Sequence, residues 1–525
     1  MIAQEQVSTT ITIPAPNSGL NSRSPLSNMP VEFAIQMTNL IATPVGVENR
    51  KGSSEWTTGF LSPLRSILPY NSGSSATSKL FVADDEHIYD VSVKGGNSIV
   101  ATGITSGKFR YAQLATQGGN FLILANGVNN PRIYNGTTWI ETSSVASPAA
   151  VGEFHLPSGY ALSGMRNPTI HQRRIWFVYD NSTRIFYSEI NSLGGELKSF
   201  DLGANMPRGG KVVDLISWTS GVAGTGLSNR LAAITSEGDC IIFDGTDPDD
   251  AASWTVSGVF ALSKPAYDQP FMIFGGDVLY WSKTGIYPLS QYLQNGNLTI
   301  PLSNNISATI GEMSRNYTNI HGFDICDIDS EDIVIFNMPQ ISSSGNLQFC
   351  FQKTTGGWSV FTGIPAIAWA ELNGVPFFIT ASGVYRAFVG YKDLINSDGS
   401  GGKSYTCVVQ QSFTTLGASG QNKHIKLIRA NLLSKSTTTN LRINVRTDFD
   451  TSAPLNVSNV ASIPVSLWDA AEWDAAFWSS EISAISKWNG ASAYGVYISP
   501  ILLFQASDQT IWTSSDLVFE PAGIL

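Results

Sequence analysis

The chain has 525 residues, a formal charge of −10 at neutral pH, 42% hydrophobic residues and only 14% charged ones. Charged residues usually make up about a quarter of a soluble domain, so this surface relies on Ser, Thr, Asn and Gly, or is covered in part by partners. The acidic balance argues against a phosphate-neutralising grip on nucleic acid. No run approaches the roughly 18 apolar residues of a membrane-spanning helix. With 48 glycines and 11% aromatic residues, the composition favours many short strands and tight turns over helices.

In chain order, residues 1–60 come first. Met1 to Pro30 is polar and rich in Ser, Thr, Asn and Pro, with no basic-then-apolar leader pattern. We expect an N-terminal extended arm and first strand here, threading across neighbours.

From residue 61 to 395 a short pattern recurs: an apolar strand, a polar turn, then a second strand carrying Ile or Phe and Tyr. It starts at Lys79 (KLFVADDEHIYDVSV) and returns from Asn120, Arg174, Arg230, Asp277, Asp332 and Pro376. Alternating apolar residues with Gly, Asn or Asp at the tip read as β-hairpins. Seven marker residues, Phe81, Ile123, Ile175, Ala233, Leu279, Ile333 and Phe377, lie at steps of 42, 52, 58, 46, 54 and 44 residues. Such steps fit one propeller blade per unit, because a hairpin cannot bury its apolar face alone and stacking around an axis supplies the core. The predicted fold class is therefore all-β: a β-propeller of six or seven blades with loop insertions. Unrelated hairpins in β-sandwich domains are the competing reading.

The Gly/Ser/Asp loop at 391–403 marks a boundary. Residues 404–525, with the alternating segments KHIKLIRANLLS and TNLRINVRTDF, predict a C-terminal β-sandwich-like domain. Trp468, Trp473 and Trp478 stand five residues apart, which matches neither a helical stripe nor one face of a strand. They are read either as core or as an interface patch.

Two stretches carry a resemblance to a known family. Gly19–Gly52 opens on Gly-Leu-Asn, has Pro-Leu near Met29-Pro30, then Ala34, Asn39, Gly46 and the turn Arg50-Lys51-Gly52. Asp239–Gly296 runs through DCIIFDGTDPDD, a Trp, GGD and GIYPLS, and the chain ends on FEPAGIL. In this order the segments resemble the tail hub or nozzle proteins of short-tailed bacteriophages, including the packaged-DNA stabilisation type. The resemblance implies a structural protein of the virion tail, synthesised in the bacterial cytoplasm. It would form a ring, a homohexamer, below the portal and adaptor and beside tail fibres or spikes. The ring would retain genomic DNA and then let it pass through its lumen without sequence-specific binding. Contact with the host surface is also implied. An acidic surface would suit such a conduit, though it equally suits ordinary solubility. A receptor- or glycan-binding tail protein is the alternative reading, and a propeller glycan hydrolase the second.

Searching for chemistry yields no catalytic, cofactor-binding or metal-binding set, so the chain reads as a non-enzyme without cofactors. The five histidines, His87, His155, His171, His321 and His424, show no HxH or HExxH spacing, and no GxSxG, Walker A or Rossmann fingerprint occurs. Cys240, Cys326, Cys350 and Cys407 are scattered and read as free thiols. Acidic clusters lie at Asp244–Asp250 and Asp327–Asp332; a glycosidase would need two carboxylates brought within about 5–9 Å, and turn chemistry explains them equally. NGTTW at Asn135–Trp139 echoes the sialidase-type Asp box without its Ser and Asp. Asn396–Ser400 has alternate oxygen ligands for calcium but reads as a turn. Lys423–Arg429 reads as the solvated face of a strand.

Overall fold

The computed structural model describes residues 8–222, 226–250, 252–317, 320–339, 346–435, 438–452, 458–461 and 483–524. Trp468, Trp473 and Trp478 lie outside the described residues. The chain is a β-propeller joined to a pair of packed sheets.

Among the described residues seven antiparallel blades follow one another around an axis: four are separate four-stranded sheets, one has three strands, and two are four-stranded parts of larger sheets. The first blade is Ser66–Tyr70, Lys79–Ala83, Ile88–Asp90 and Ser98–Ala101. The second runs from Arg110–Thr116 to Trp139–Glu141, the third from Met165–His171 to Lys198–Asp201, and the fourth from Val212–Val222 to Trp254–Ala261. The fifth has only Phe271–Phe274, Asp277–Ser282 and Gly285–Pro288, followed by the helices Leu289–Asn295 and Ser307–Asn316. The sixth spans Asp324–Ile328 to Trp358–Phe361, and the seventh is Ala368–Leu372, Val375–Ile379 and Gly383–Ala387. Its fourth strand comes from the other end of the chain: Ser53–Thr58 pairs antiparallel with Gly383–Ala387 and closes the ring.

All seven sequence markers fall on the second strand of a blade. These strands are buried on both faces, Phe121–Ala125, Val278–Ser282 and Ile333–Met338 throughout, which is why they read as continuous apolar runs. One face packs on the preceding blade and the other on the next. Leu68 and Phe81 meet Leu122 and Tyr134, Trp176 and Ile185 meet Leu231 and Trp254, and Phe377 and Ile379 of the seventh blade meet Leu80 and Val82 of the first. Polar side chains shape the hairpin tips: Asp84 Oδ1 accepts the N–H groups of Glu86 and His87, and Asn126 Oδ1 those of Val128 and Asn129. Such turns are the local preference of Asp and Asn.

Hydrogen bonding runs across the boundary expected at 391–403. The sixth blade continues through Ala34–Thr38 into Thr406–Gln411, Ile498–Gln505, Thr438–Thr447 and Ser458–Ala461, making one nine-stranded sheet. The second sheet joins Leu40–Thr43 and Gly46–Asn49 to Thr510–Ile524, Gln421–Ser434 and the strands beyond, with Thr9–Pro14 also on Thr510–Ile524. One core runs from Trp281, Phe336 and Trp358 of the propeller to Ile425, Ile443, Leu502 and Trp512. Residues 9–58 thus supply strands to both bodies.

Candidate functional site

The innermost strands of the propeller surround an axial cavity of about 690 Å³. Its charges are sorted by blade. Arg65, Lys108, Arg110 and Arg166 come from the entry to the first blade and from the second and third blades. Asp268, Asp324, Asp327 and Glu371 come from the link into the fifth blade and from the sixth and seventh. Two ion pairs join the halves: Arg110 Nη1 lies 3.7 Å from Asp324 Oδ1, and Arg166 Nη2 2.9 Å from Asp268 Oδ2. His321 Nε2 stands 2.8 Å from the Arg65 carbonyl. A carbonyl can only accept, so this nitrogen carries the hydrogen.

Burial dominates the titration of the site. It lifts the Asp324 carboxyl against the pull of Arg110, lifts Asp327 against Lys353, and lifts Glu371, with the Asp329 charge adding to it. Asp214, on the first strand of the fourth blade, is pushed up to about 8 by burial. Burial drives His321 down to about 4, so its ring is neutral at pH 7.

A second polar cluster holds the propeller to the paired sheets. Arg50 is buried and bidentate to Asp393, at 2.7 and 2.6 Å. Its Nε donates to Asn39 Oδ1, its guanidinium lies 3.9 Å from the Tyr405 ring centroid, and the Tyr405 hydroxyl donates to the Arg50 carbonyl. Beside it, Lys51 Nζ reaches Glu331 at 2.7 Å.

The groups singled out in the sequence are dispersed. The Asp244–Asp250 cluster is on the fourth blade and Asp327–Asp332 on the sixth. Most of these acids have local partners: Asp247 binds Arg174 at 2.9 Å, Asp249 binds Tyr187 and Lys198, and Asp327 and Asp329 share Lys353. His171 is buried, 2.7 Å from Ser217 Oγ and packed on Trp176 and Trp254, with its pKa driven down to about 4 by burial. Asn396–Ser400 forms a hairpin turn whose Asp398 Oδ1 accepts the Ser400 N–H. Asn135 caps the NGTTW turn, and Trp139 packs edge-on to Phe81 of the preceding blade. Among the described residues no three His, Cys, Asp or Glu side chains are grouped to hold a metal ion.

Lys423–Arg429 is not a solvated face throughout. Lys423 is fully buried, its ammonium donating to the carbonyls of Ala418, Gln421 and Val496. A register shift between Ile425 and Leu427 turns Leu427 outward. The axial cavity itself left no signal in the sequence, since its charges come from six separate segments of six different blades or links.

The fold defines a β-propeller with an attached two-sheet body. No protein-family model matches the sequence, and no curated protein does. Among solved structures, the chain is similar to BBS1N in complex with ARL6DN (mercury-soaked crystal), at a TM-score of 0.39 and 11% identity, covering 64% of this chain and 96% of that one. It is also similar to YCF48 bound to D1 peptide, at 0.27 and 10%, covering 65% and 95%. No function follows from likeness at this level.

Proposed function

We propose that this chain is a structural component of a short-tailed phage tail, a hub or nozzle subunit that closes the tail tube, retains packaged DNA and forms part of its exit. The observation that carries the reading is where the family-like residues fall. Gly19 and Gly52 hold backbone against backbone where the propeller meets the paired sheets, and Gly46 does so within the second paired sheet. A Cβ at Gly52 would stand 1.9 Å from the Lys392 carbonyl oxygen, one at Gly46 2.2 Å from that of Trp512, and one at Gly19 (φ +80) 2.5 Å from the Trp358 nitrogen. These close approaches support the reading, because a side chain at any of the three positions would collide with backbone.

The axial cavity, laced by ion pairs, has no room for a duplex. In this reading the conduit lies between copies in a closed ring, where identical interfaces avoid an open filament. An excess of ten negative charges per chain would let DNA slide by rather than stick. The ring would join the portal and adaptor above and the tail fibres or spikes around it.

Native mass measurement and electron microscopy of the purified chain, alone and mixed with a portal–adaptor complex, test this. A ring, or co-assembly with that complex, is expected. A monomer that never joins it would overturn the proposal.

A further inference from the structure

We propose that the axial cavity of the propeller is a binding site for a small zwitterion, a molecule with separated ammonium and carboxylate groups such as a short peptide. This does not rest on the tail reading. The volume of about 690 Å³ falls in the range of small-molecule sites, about 300–1,000 Å³.

Most charges of the cavity are matched within the protein. Arg110 faces Asp324, Arg166 is held between Asp180 and Asp268, Arg65 binds Asp85 at 2.9 Å, and Asp327 meets Lys353 at 2.5 Å. Two opposite charges are left over. Among the described residues Lys108, an exposed side chain whose charge also acts on Asp85, makes no ion pair. Glu371 receives backbone N–H groups from Asp329 and Ser330, yet its Oε2 is buried and accepts no hydrogen bond. Buried polar atoms are almost always satisfied by protein or water, so this oxygen is open to a donor from water or a ligand. Tyr111, 39% exposed, also lines the cavity, and its hydroxyl bonds no protein group among the described residues.

The division of charge selects the ligand. An organic cation alone would leave Lys108 unmatched, and an anion alone would leave Glu371 unmatched. A bare metal ion does not fit, because no group of three acidic, His or Cys side chains is close enough among the described residues. A zwitterion sets its ammonium against Glu371 and the Tyr111 ring face, where cations are attracted, and its carboxylate against Lys108.

Calorimetric titration of the full chain with triglycine, N-acetyltriglycine and triglycinamide tests this. Triglycine should bind, and each capped form, lacking one charge, at least tenfold more weakly. Lys108→Ala and Glu371→Gln should each weaken triglycine about tenfold, the equivalent of about 1.4 kcal/mol, while the melting temperature of the unliganded protein does not fall. No heat with any probe would mean that water alone fills the cavity and would overturn the proposal. So would equal binding of all three probes, or binding indifferent to both substitutions.

Discussion

Arg50 and Asp393 lie 343 positions apart in sequence and are almost wholly buried, with side-chain exposures of 1% and 3%. A buried ion pair adds little net stability over an apolar pair, but removing one partner strands the other charge. Asp393→Asn should therefore cost about 3–5 kcal/mol, read as a lower urea midpoint, and replacing Arg50 by Met in the same chain should recover much of the loss. Asp214 makes a separate prediction about pH. Its folded pKa is about 8 against an ordinary 3.8, so between those values the folded protein holds a proton that the unfolded chain has released. The stability it contributes is fully present below pH 3.8 and is lost as pH rises through 8, at up to about 1.4 kcal/mol per pH unit. His171 and His321 act in the opposite direction: folded values of about 4 against 6.5 remove stability as pH falls through that lower window. Above pH 6.5 only the Asp214 contribution among these three still changes. Asp214→Asn should flatten the decline between pH 6.5 and 8 and leave the variant more stable than the parent at pH 8, measured by urea denaturation across that range.

At the scale of single elements, what could be read from the sequence was local. The second strand of every blade showed itself because both its faces are buried, and the hairpin tips because Asp and Asn cap their own turns. The closing strand Ser53–Thr58 showed nothing comparable. Its partner Gly383–Ala387 lies more than 300 residues away, and no periodicity records a pairing that distant. The same holds for Ala34–Thr38, which lies between a propeller strand and a strand of the paired sheets. The axial cavity was hidden for a related reason: its unmatched charges, Lys108 and Glu371, lie on different blades. Trp56 holds the closure in place. Its ring packs edge-on against Phe377 at 5.1 Å, and its Nε1 donates to the Val91 carbonyl at 2.7 Å, so it ties the seventh blade to the first. Trp56→Ala should cost about 3 kcal/mol. Hydrogen exchange should then rise first in Ser53–Thr58 and Gly383–Ala387, before the central strands of the other blades.

At the scale of the whole molecule, propeller and paired sheets share one sheet and one core. Their boundary in sequence is crossed by a continuous nine-stranded sheet and by a single core that contains both Trp358 and Trp512. Four N-terminal strands, Thr9–Pro14, Ala34–Thr38, Leu40–Thr43 and Gly46–Asn49, belong to the paired sheets, while Ser53–Thr58 belongs to the propeller. Residues 404–525 expressed alone would lack these four strands and expose the faces they cover. Residues 1–403 would keep the ring closure but leave Ala34–Thr38 without its neighbour Thr406–Gln411 and uncover half of the shared core. Exposed strand edges and apolar faces of this kind drive aggregation. Both fragments should therefore be insoluble or show disordered amide spectra when produced separately, and should regain native-like dispersion only when refolded together. The intact chain should unfold in a single calorimetric transition, because neither body retains a complete core without the other. Two well-separated transitions, or a soluble and folded 404–525 fragment, would show that the shared sheet does not couple the two bodies.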